Sequence, residues 1–446
     1  MRSHLLRRPA ARSWLSWVRR SGNDEKIHEC LAIGGGLGMV AALSHMTPFL
    51  RKILGMNWVL ILVMYGLLIF GVFMIESAAR HLPLNPDLKS QFGTAGVYYA
   101  WSQKNWILVG SVAFFGAALV DYRWIRWLGI PFYVMSLVLM FVGMTQPDAV
   151  QPVRLTILGL SFQPASLGIT SGILLISWLL QDLPKIHPWL GSPIARIAII
   201  GALAGVPFLV VMKMGDMGSA LVWIPASLVA MLVGGVPYRY LSLLGLIGVM
   251  LLPVLYFVVL PMVSKRGPGR IDLWLRMVQG REVDVTDQGY SAHYATMAVG
   301  KAGWKGVGWG APAERNSLFA KGYPSKYTAH NDYIFVVIGE ELGFRGSLLL
   351  LTAYAMLLLQ CLFVAFYSRD LCGRLVVSLV IALLFAHVFE SIGMCVLLLP
   401  ITGIPLPLVS YSGTFVVICM FLLGLVQSVW IHRNQRPMLQ LKPEPA

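Results

Sequence analysis

Charge is what this sequence is shortest of. Only 12% of its 446 residues are Asp, Glu, Lys or Arg, against 57% hydrophobic, and the mean hydropathy is +0.71. So small a polar supply cannot cover a water-facing surface. A soluble domain is excluded, and the fold class expected is an all-α integral membrane protein. Acid is scarcer than base, with 20 Asp and Glu against 35 Lys and Arg, a net charge of +15. In a soluble chain that balance would suggest nucleic acid. Here it matches the Lys and Arg that collect in cytoplasmic loops, and no nucleic-acid partner is expected. Cysteine is sparse too. Cys30, Cys361, Cys372, Cys395 and Cys419 form no CxxC pair and lie in apolar segments or a short loop, so they read as small hydrophobes. That excludes a disulfide framework and a cysteine metal site. No apolar run follows the basic N-terminus, which leads into "SGNDEK", so no cleavable signal peptide is expected. No βαβ pattern surrounds "GVGWG" at 306–310, which leaves that fragment of a phosphate loop without its context.

What is present is apolar runs. A spanning helix needs roughly 20 mostly apolar residues, and ten segments qualify: 58–75, 105–120, 127–145, 165–181, 196–212, 218–236, 241–263, 346–367, 375–400 and 414–431. If the first leaves the cytoplasm, the inner loops hold Arg123, Arg126, Lys185, Arg239, Arg369 and Arg374, and both termini are cytoplasmic. The division expected is a basic extension over 1–55, a polytopic membrane domain over 56–431, and a cytoplasmic tail over 432–446. An eleventh span at 31–50 would spoil the parity, so that stretch is expected to lie on the inner membrane surface. Between the seventh and eighth spans runs a large extracytoplasmic loop, 264–331. Its ten basic residues, among them Arg266, Arg270 and Lys326, outnumber its acids and would suit an anionic ligand such as a pyrophosphate.

The chemistry has few places to reside. Asp332 falls at the outer mouth of the eighth helical region, where a carboxylate is partly desolvated yet reachable, a setting that permits general-base work. It is equally well placed to cap a helix. His330, two residues earlier, could orient it or bind substrate. Asp216 in "KMGDMGSALV" could join the same polar site or cap the helix beginning near Gly218. Glu340 and Glu341 of "GEELGFRG" read as structural, with Arg345 one helical turn from Glu341 as its ion-pair partner. His387 and Glu390 lie within the ninth span and face a bundle interior or cavity. "TGIPLPLVSYSG", 402–413, breaks the chain with prolines at membrane depth, which is tolerated only against protein or a cavity wall.

Four motifs in order carry a resemblance. "NWVLILVMYGLLIFGVFMIESAAR", "GDMGSALV", "AHNDYIFVVIGEELGF" and "TGIPLPLVSYSGT" are similar to stretches of the SEDS family, the group of RodA, FtsW and SpoVE, over about Asn57–Trp430. The resemblance implies a peptidoglycan glycosyltransferase. It would polymerise lipid II, the undecaprenyl-pyrophosphate-linked disaccharide-pentapeptide, on the outer face of the bacterial cytoplasmic membrane, beside a class B penicillin-binding protein. It further implies that Asp332 takes the proton from the acceptor hydroxyl and that the anomeric centre inverts. His330, Asp216, Arg266, Arg270, Lys326, Gln163 and Ser410 are the residues expected to bind substrate. No motif requires a cofactor, although a divalent cation, Mg2+ or Mn2+, would be compatible with the departing pyrophosphate.

The sequence also departs from that family. Its QPSE-x-x-K motif is here "QPASLGI", with Ser166 in place of Glu and Ile169 in place of Lys, so that ion pair cannot form. Asn331 replaces a Thr, Ser412 a Gly, and Ser291 a Gln. Two other readings follow: a flippase of the lipid-linked precursor, though no paired halves are visible, and a weakly active scaffold for the penicillin-binding protein. An O-antigen polymerase or ligase fits the four motifs less well.

Overall fold

A computed structural model describes residues 52–145, 155–157, 160–263, 267–281, 288–311, 317–318, 321 and 328–434. The chain divides into two compact units after Met56, and every element below belongs to the second. The expected surface helix at 31–50, Arg266 and Lys326 lie outside the described residues, as does the tail from 435.

The helices begin where side chains can satisfy free amides. Asn57 accepts from the amide of Leu60 at 3.2 Å and opens α1, Trp58–Ala79. Thr94 does the same for Val97 at the start of α2, Ala95–Leu119. The helix α3, Gly129–Thr145, leads into two three-residue strands, β1 (Leu155–Ile157) and β2 (Leu160–Phe162), paired antiparallel with Leu155 opposite Phe162. Prolines at the first helical position open α4, Pro164–Ile186, and α5, Pro193–Lys213, where a missing amide costs nothing. Asp216 caps α6, Met217–Leu221, which continues as α7, Trp223–Val233. Then come α8 (Tyr238–Val254), the amphipathic α9 (Gly267–Val278), α10 (Gln288–Lys301), α11 (Ile334–Tyr367), α12 (Leu371–Cys395, capped by Asp370) and α13 (Gly413–His432).

Seven described segments are long and apolar enough to cross a membrane: Trp58–Ala79, Tyr122–Met144, Pro164–Ile186, Pro193–Lys213, Ile334–Tyr367, Leu371–Cys395 and Gly413–His432. The other three expected spans fall on α2, on α6–α7, and on α8 with its continuation through Leu255–Val259 and Leu260–Val263. The protein is a multi-pass membrane protein, and its perimeter fits hydrocarbon rather than water. Leu62, Leu108, Val112, Met250 and Phe366 are all more than two-thirds exposed.

Inside the bundle, α12 and α13 are the most enclosed helices. Backbones close up where glycine permits. A side chain at Gly110 would strike Met420, and one at Gly424 would meet the Phe114 carbonyl, so α2 lies tight against α13. Polar groups find partners across helices. Tyr65 donates to Ser111 at 2.7 Å, Asn57 to Gln360 at 3.1 Å, and Tyr133 to the Leu203 carbonyl at 2.6 Å. At the end of the bundle opposite Asp332, Arg126 and Lys185 both pair with Asp182, while Arg123 and the Tyr122 hydroxyl meet Asp370.

The largest difference from the sequence-based spans is at the eighth. The expected span, 346–367, starts after "GEELGF", whereas the helix begins at Ile334 and breaks within that motif. Gly343, at φ 68°, ψ −164°, interrupts the ladder. The segment 302–308 fills the gap edge-on: the amides of Val307 and Gly308 donate to the carbonyls of Glu340 and Glu341, and that of Phe344 donates to Gly303, all at 2.9 Å. "GVGWG" is therefore a backbone clasp and not a phosphate cradle. The expected Glu341–Arg345 ion pair is absent, because the break at Gly343 removes the register an i,i+4 pair needs. Arg345 is exposed, and Glu341 accepts from Ser77 instead.

The clasp admits no side chain on either strand. A Cβ at Gly343 would lie 2.5 Å from the Gly306 nitrogen, and one at Gly306 (φ 72°) would lie 2.4 Å from the Glu341 oxygen. Gly343→Ala and Gly306→Ala should each cost about 2 kcal/mol or more, read as a lowered thermal midpoint of the purified protein in detergent. Gly66→Ala, where nothing lies within 4 Å, should leave that midpoint unchanged or slightly raised.

Candidate active site

The site is assembled from two interruptions in the helical bundle, the turn at 328–333 and the loop at 396–412. The turn is closed by the amides of Asn331 and Tyr333 on the Thr328 carbonyl, at 3.1 and 3.3 Å. The loop holds the only two non-glycine residues at positive φ among those described, Leu397 (59°) and Leu408 (65°). Neither conformation is favourable for leucine, and both persist because neighbouring groups hold the loop on every side. The Tyr354 hydroxyl donates to the Pro407 carbonyl, and the indole of Trp274 on α9 to that of Leu397, at 2.5 and 2.9 Å.

Loop and turn are stitched directly together. The Tyr411 amide donates to the His330 carbonyl at 2.9 Å. The Ser410 hydroxyl donates to the Asn331 carbonyl at 2.6 Å while accepting from the Leu406 amide at 2.8 Å. Ser410 thus stands at the centre of the site as a fastener for the Asp332 turn. Asp332 is half-buried, and a side chain at Gly403, itself at φ 75°, would lie 3.6 Å from its Oδ2. It is not the N-cap of α11: that position belongs to Tyr333, with no side-chain cap bond.

Arg270, on α9, reaches the same loop, its guanidinium donating to the Thr402 carbonyl at 3.3 Å. Tyr333, buried behind Asp332, feels both groups. Burial raises its phenol above the ordinary range, the Asp332 charge adds to the rise, and the Arg270 charge opposes it. A carboxylate and a guanidinium thus both stand close to Tyr333. His330 is 4% exposed, and burial drops its imidazole from 6.5 to about 4, so the ring is neutral at physiological pH.

Asp216 does both things its position allowed. Its Oδ1 accepts from the Ser219 amide at 3.0 Å as the cap of α6, and its Oδ2 accepts from the Gln163 amide group at 2.7 Å. Its helix abuts the 396–412 loop, since a side chain at Gly218 would strike Ile404 and Thr402. Gln163 also binds Ser219 and accepts from Ser166, so it orders Asp216 and the start of α4. Ser166 and Ile169 line a cavity of about 10 Å³ with Ser219, His387 and Phe415, room for roughly one water where the family's ion pair would stand. Glu390, buried near Asp216, has one carboxylate oxygen without a partner.

Glu340 and Glu341 are buried pegs. The Ser317 hydroxyl and the Leu318 amide donate to Glu340, and the Ser77 hydroxyl to Glu341. They tie Ser317, Leu318 and Ser77 to the start of α11. Among the described residues no three His, Cys, Asp or Glu side chains converge. They build no complete cage of protein ligands for Mg2+ or Mn2+. An aromatic trio had no sequence signal beyond "YYAW". Tyr99 lies with its ring centroid 4.5 Å from His330 and 4.9 Å from Tyr411.

The chain has relatives in sequence and in fold. A family model described as "Cell cycle protein", for FtsW, RodA and SpoVE, matches residues 57–435. The peptidoglycan glycosyltransferase MrdB of Escherichia coli K12 is 29% identical over 228 residues, 51% of this chain and 58% of that protein, so the match spans little more than half of MrdB. The probable peptidoglycan glycosyltransferase FtsW of Geobacter metallireducens is 27% identical over 394 residues, 87% of this chain and 98% of that one. Two solved structures share the fold. A chain of a peptidoglycan synthase complex superposes with TM-score 0.67 at 23% identity, covering 85% of this chain and 99% of its own. Thermus thermophilus RodA superposes with TM-score 0.58 at 23% identity, covering 85% and 98%. With 379 consecutive positions (57 to 435) inside the family model, this chain belongs to the FtsW/RodA/SpoVE family of cell cycle proteins.

Proposed function

We propose that this protein is a peptidoglycan glycosyltransferase that polymerises lipid II at the outer face of the bacterial cytoplasmic membrane, with both termini inside. The observation that carries the reading is Asp332, half-buried and set by Ser410 and Tyr411 into a turn that shares a loop with Arg270. The acceptor's GlcNAc 4-hydroxyl gives its proton to Asp332. Its oxygen bonds to C1 of the donor's MurNAc as the bond from C1 to the pyrophosphate oxygen breaks, and the centre inverts. Undecaprenyl pyrophosphate leaves with the electron pair, and Arg270, with Arg266 and Lys326 of the same basic segment, offsets the charge that develops there. Gln163 and Asp216 support the loop from beneath. The partner we assign is a class B penicillin-binding protein that crosslinks the strands, a choice supported by the fold shared with a synthase-complex chain.

The departures at Ser166 and Ile169 favour one alternative, a scaffold with little activity of its own. One experiment separates the readings. Purified full-length protein, with its penicillin-binding partner, is given labelled lipid II in proteoliposomes. Glycan strands should form, and Asp332→Asn should reduce their rate by about 100-fold or more. Lipid movement without polymer would replace this reading with a flippase, and neither movement nor polymer would leave the scaffold.

The neutral His330 sets a pH limit on the same site. Its folded pKa, about 4, lies below its ordinary 6.5. Between those values the unfolded chain takes a proton that the folded chain refuses. Its contribution to stability is therefore whole above pH 6.5, is lost as pH falls through about 4, and changes no further below that. The thermal midpoint should fall more steeply between pH 7 and 4.5 in the natural protein than in His330→Gln.

A further inference from the structure

The aromatic side chains around Asp332 have no task in the reaction scheme above. Tyr99, in the second turn of α2, tilts 42° over the His330 ring at 4.5 Å and meets Tyr411 edge-on at 4.9 Å. The His330 and Tyr411 rings are 5.5 Å apart, and the Tyr411 hydroxyl is 3.1 Å from that of Ser102. Three rings from three separate parts of the chain therefore meet on the turn that carries Asp332.

Core packing alone does not account for this group. Tyr99 and Tyr411 each keep part of their surface uncovered, and hydrophobic burial has no use for a His at the centre. The His330 ring is 96% buried, yet its Nδ1 has no hydrogen-bond partner. A buried polar atom left unpaired costs stability and needs a compensating role. A pyranose ring offers what the two partly uncovered tyrosines lack, an apolar C–H face that covers an aromatic ring.

We infer that Tyr99, His330 and Tyr411 form a saccharide subsite that holds one sugar of the lipid-linked substrate beside Asp332, with the partly uncovered Tyr99 supplying the stacking face and the buried His330 ring holding it and Tyr411 in place. The inference rests on the proposed reading that the substrate is a lipid-linked disaccharide. It assigns the sugar to aromatic contact and leaves the pyrophosphate to the basic groups, so the two halves of the ligand are recognised by separable parts of the protein.

The test measures binding without chemistry. Full-length Asp332→Asn protein in nanodiscs is titrated with labelled lipid II and, separately, with undecaprenyl pyrophosphate, which carries no sugar. Adding Tyr99→Leu should weaken lipid II binding about fivefold to tenfold and leave undecaprenyl pyrophosphate binding unchanged. Tyr99→Phe, which keeps the ring, should stay within about twofold. Tyr99→Met removes the ring at similar volume and gives the same reading if the leucine variant folds poorly. Equal loss for both lipids would mark Tyr99 as structural, and no loss for either would leave the sugar unread by it. Either result overturns the subsite. A natural protein that makes no polymer while the sugar-dependent difference persists would count against the transferase reading and not against this one.

Discussion

No backbone amide or carbonyl can be left unpaired in a slab that water does not enter. The rest of this structure depends on how that constraint is met at two places where helices are interrupted close together. Turn 328–333 and loop 396–412 satisfy each other at the mouth of the bundle, through Tyr411 on His330 and Ser410 on Asn331. Asp332 is held half-open because the peptide groups around it are already committed. The prolines and the two left-handed leucines make the loop expensive in isolation, and the bonds from Tyr354 and Trp274 keep it in place.

The same rule governs the break at Gly343. There the freed carbonyls of Glu340 and Glu341 are taken up by a stretch of chain running alongside, much as a neighbouring strand would do it. The two glutamates then use their side chains for a second purpose, drawing in Ser317, Leu318 and Ser77. Acids persist at the edge of an apolar chain because they collect donors that would otherwise be stranded. Asp216 follows the pattern, shared between a helix amide and Gln163.

Most of the architecture was legible in the sequence because spanning helices are written in hydropathy. Helix ends were less so. The start of α2 ten residues before the expected 105 depends on Thr94, a cap whose signal is weaker than the apolar run behind it. The start of α11 twelve residues before the expected 346 buries Glu340 and Glu341, whose partners Ser317, Leu318 and Ser77 no local pattern reveals. Asp332, Arg270 and Ser410 could be picked out by type and position, but the meeting of Arg270 with Thr402 spans 132 residues and no local pattern announces it. The Glu341–Arg345 pair failed for the converse reason: the spacing was right, and the helix it assumed was not continuous. Tyr99 was missed because an aromatic residue at a helix start carries no chemical label until its neighbours are placed.

Gly343 also divides α11 mechanically. Beyond it the helix presents Leu349, Leu359 and Phe366 outward, each at least 60% exposed, whereas the nine residues before it are almost wholly enclosed. Because the chain at 303–308 is bonded to both sides of the break, the short arm and the acid at its root are anchored by that crosspiece and not by the long arm alone.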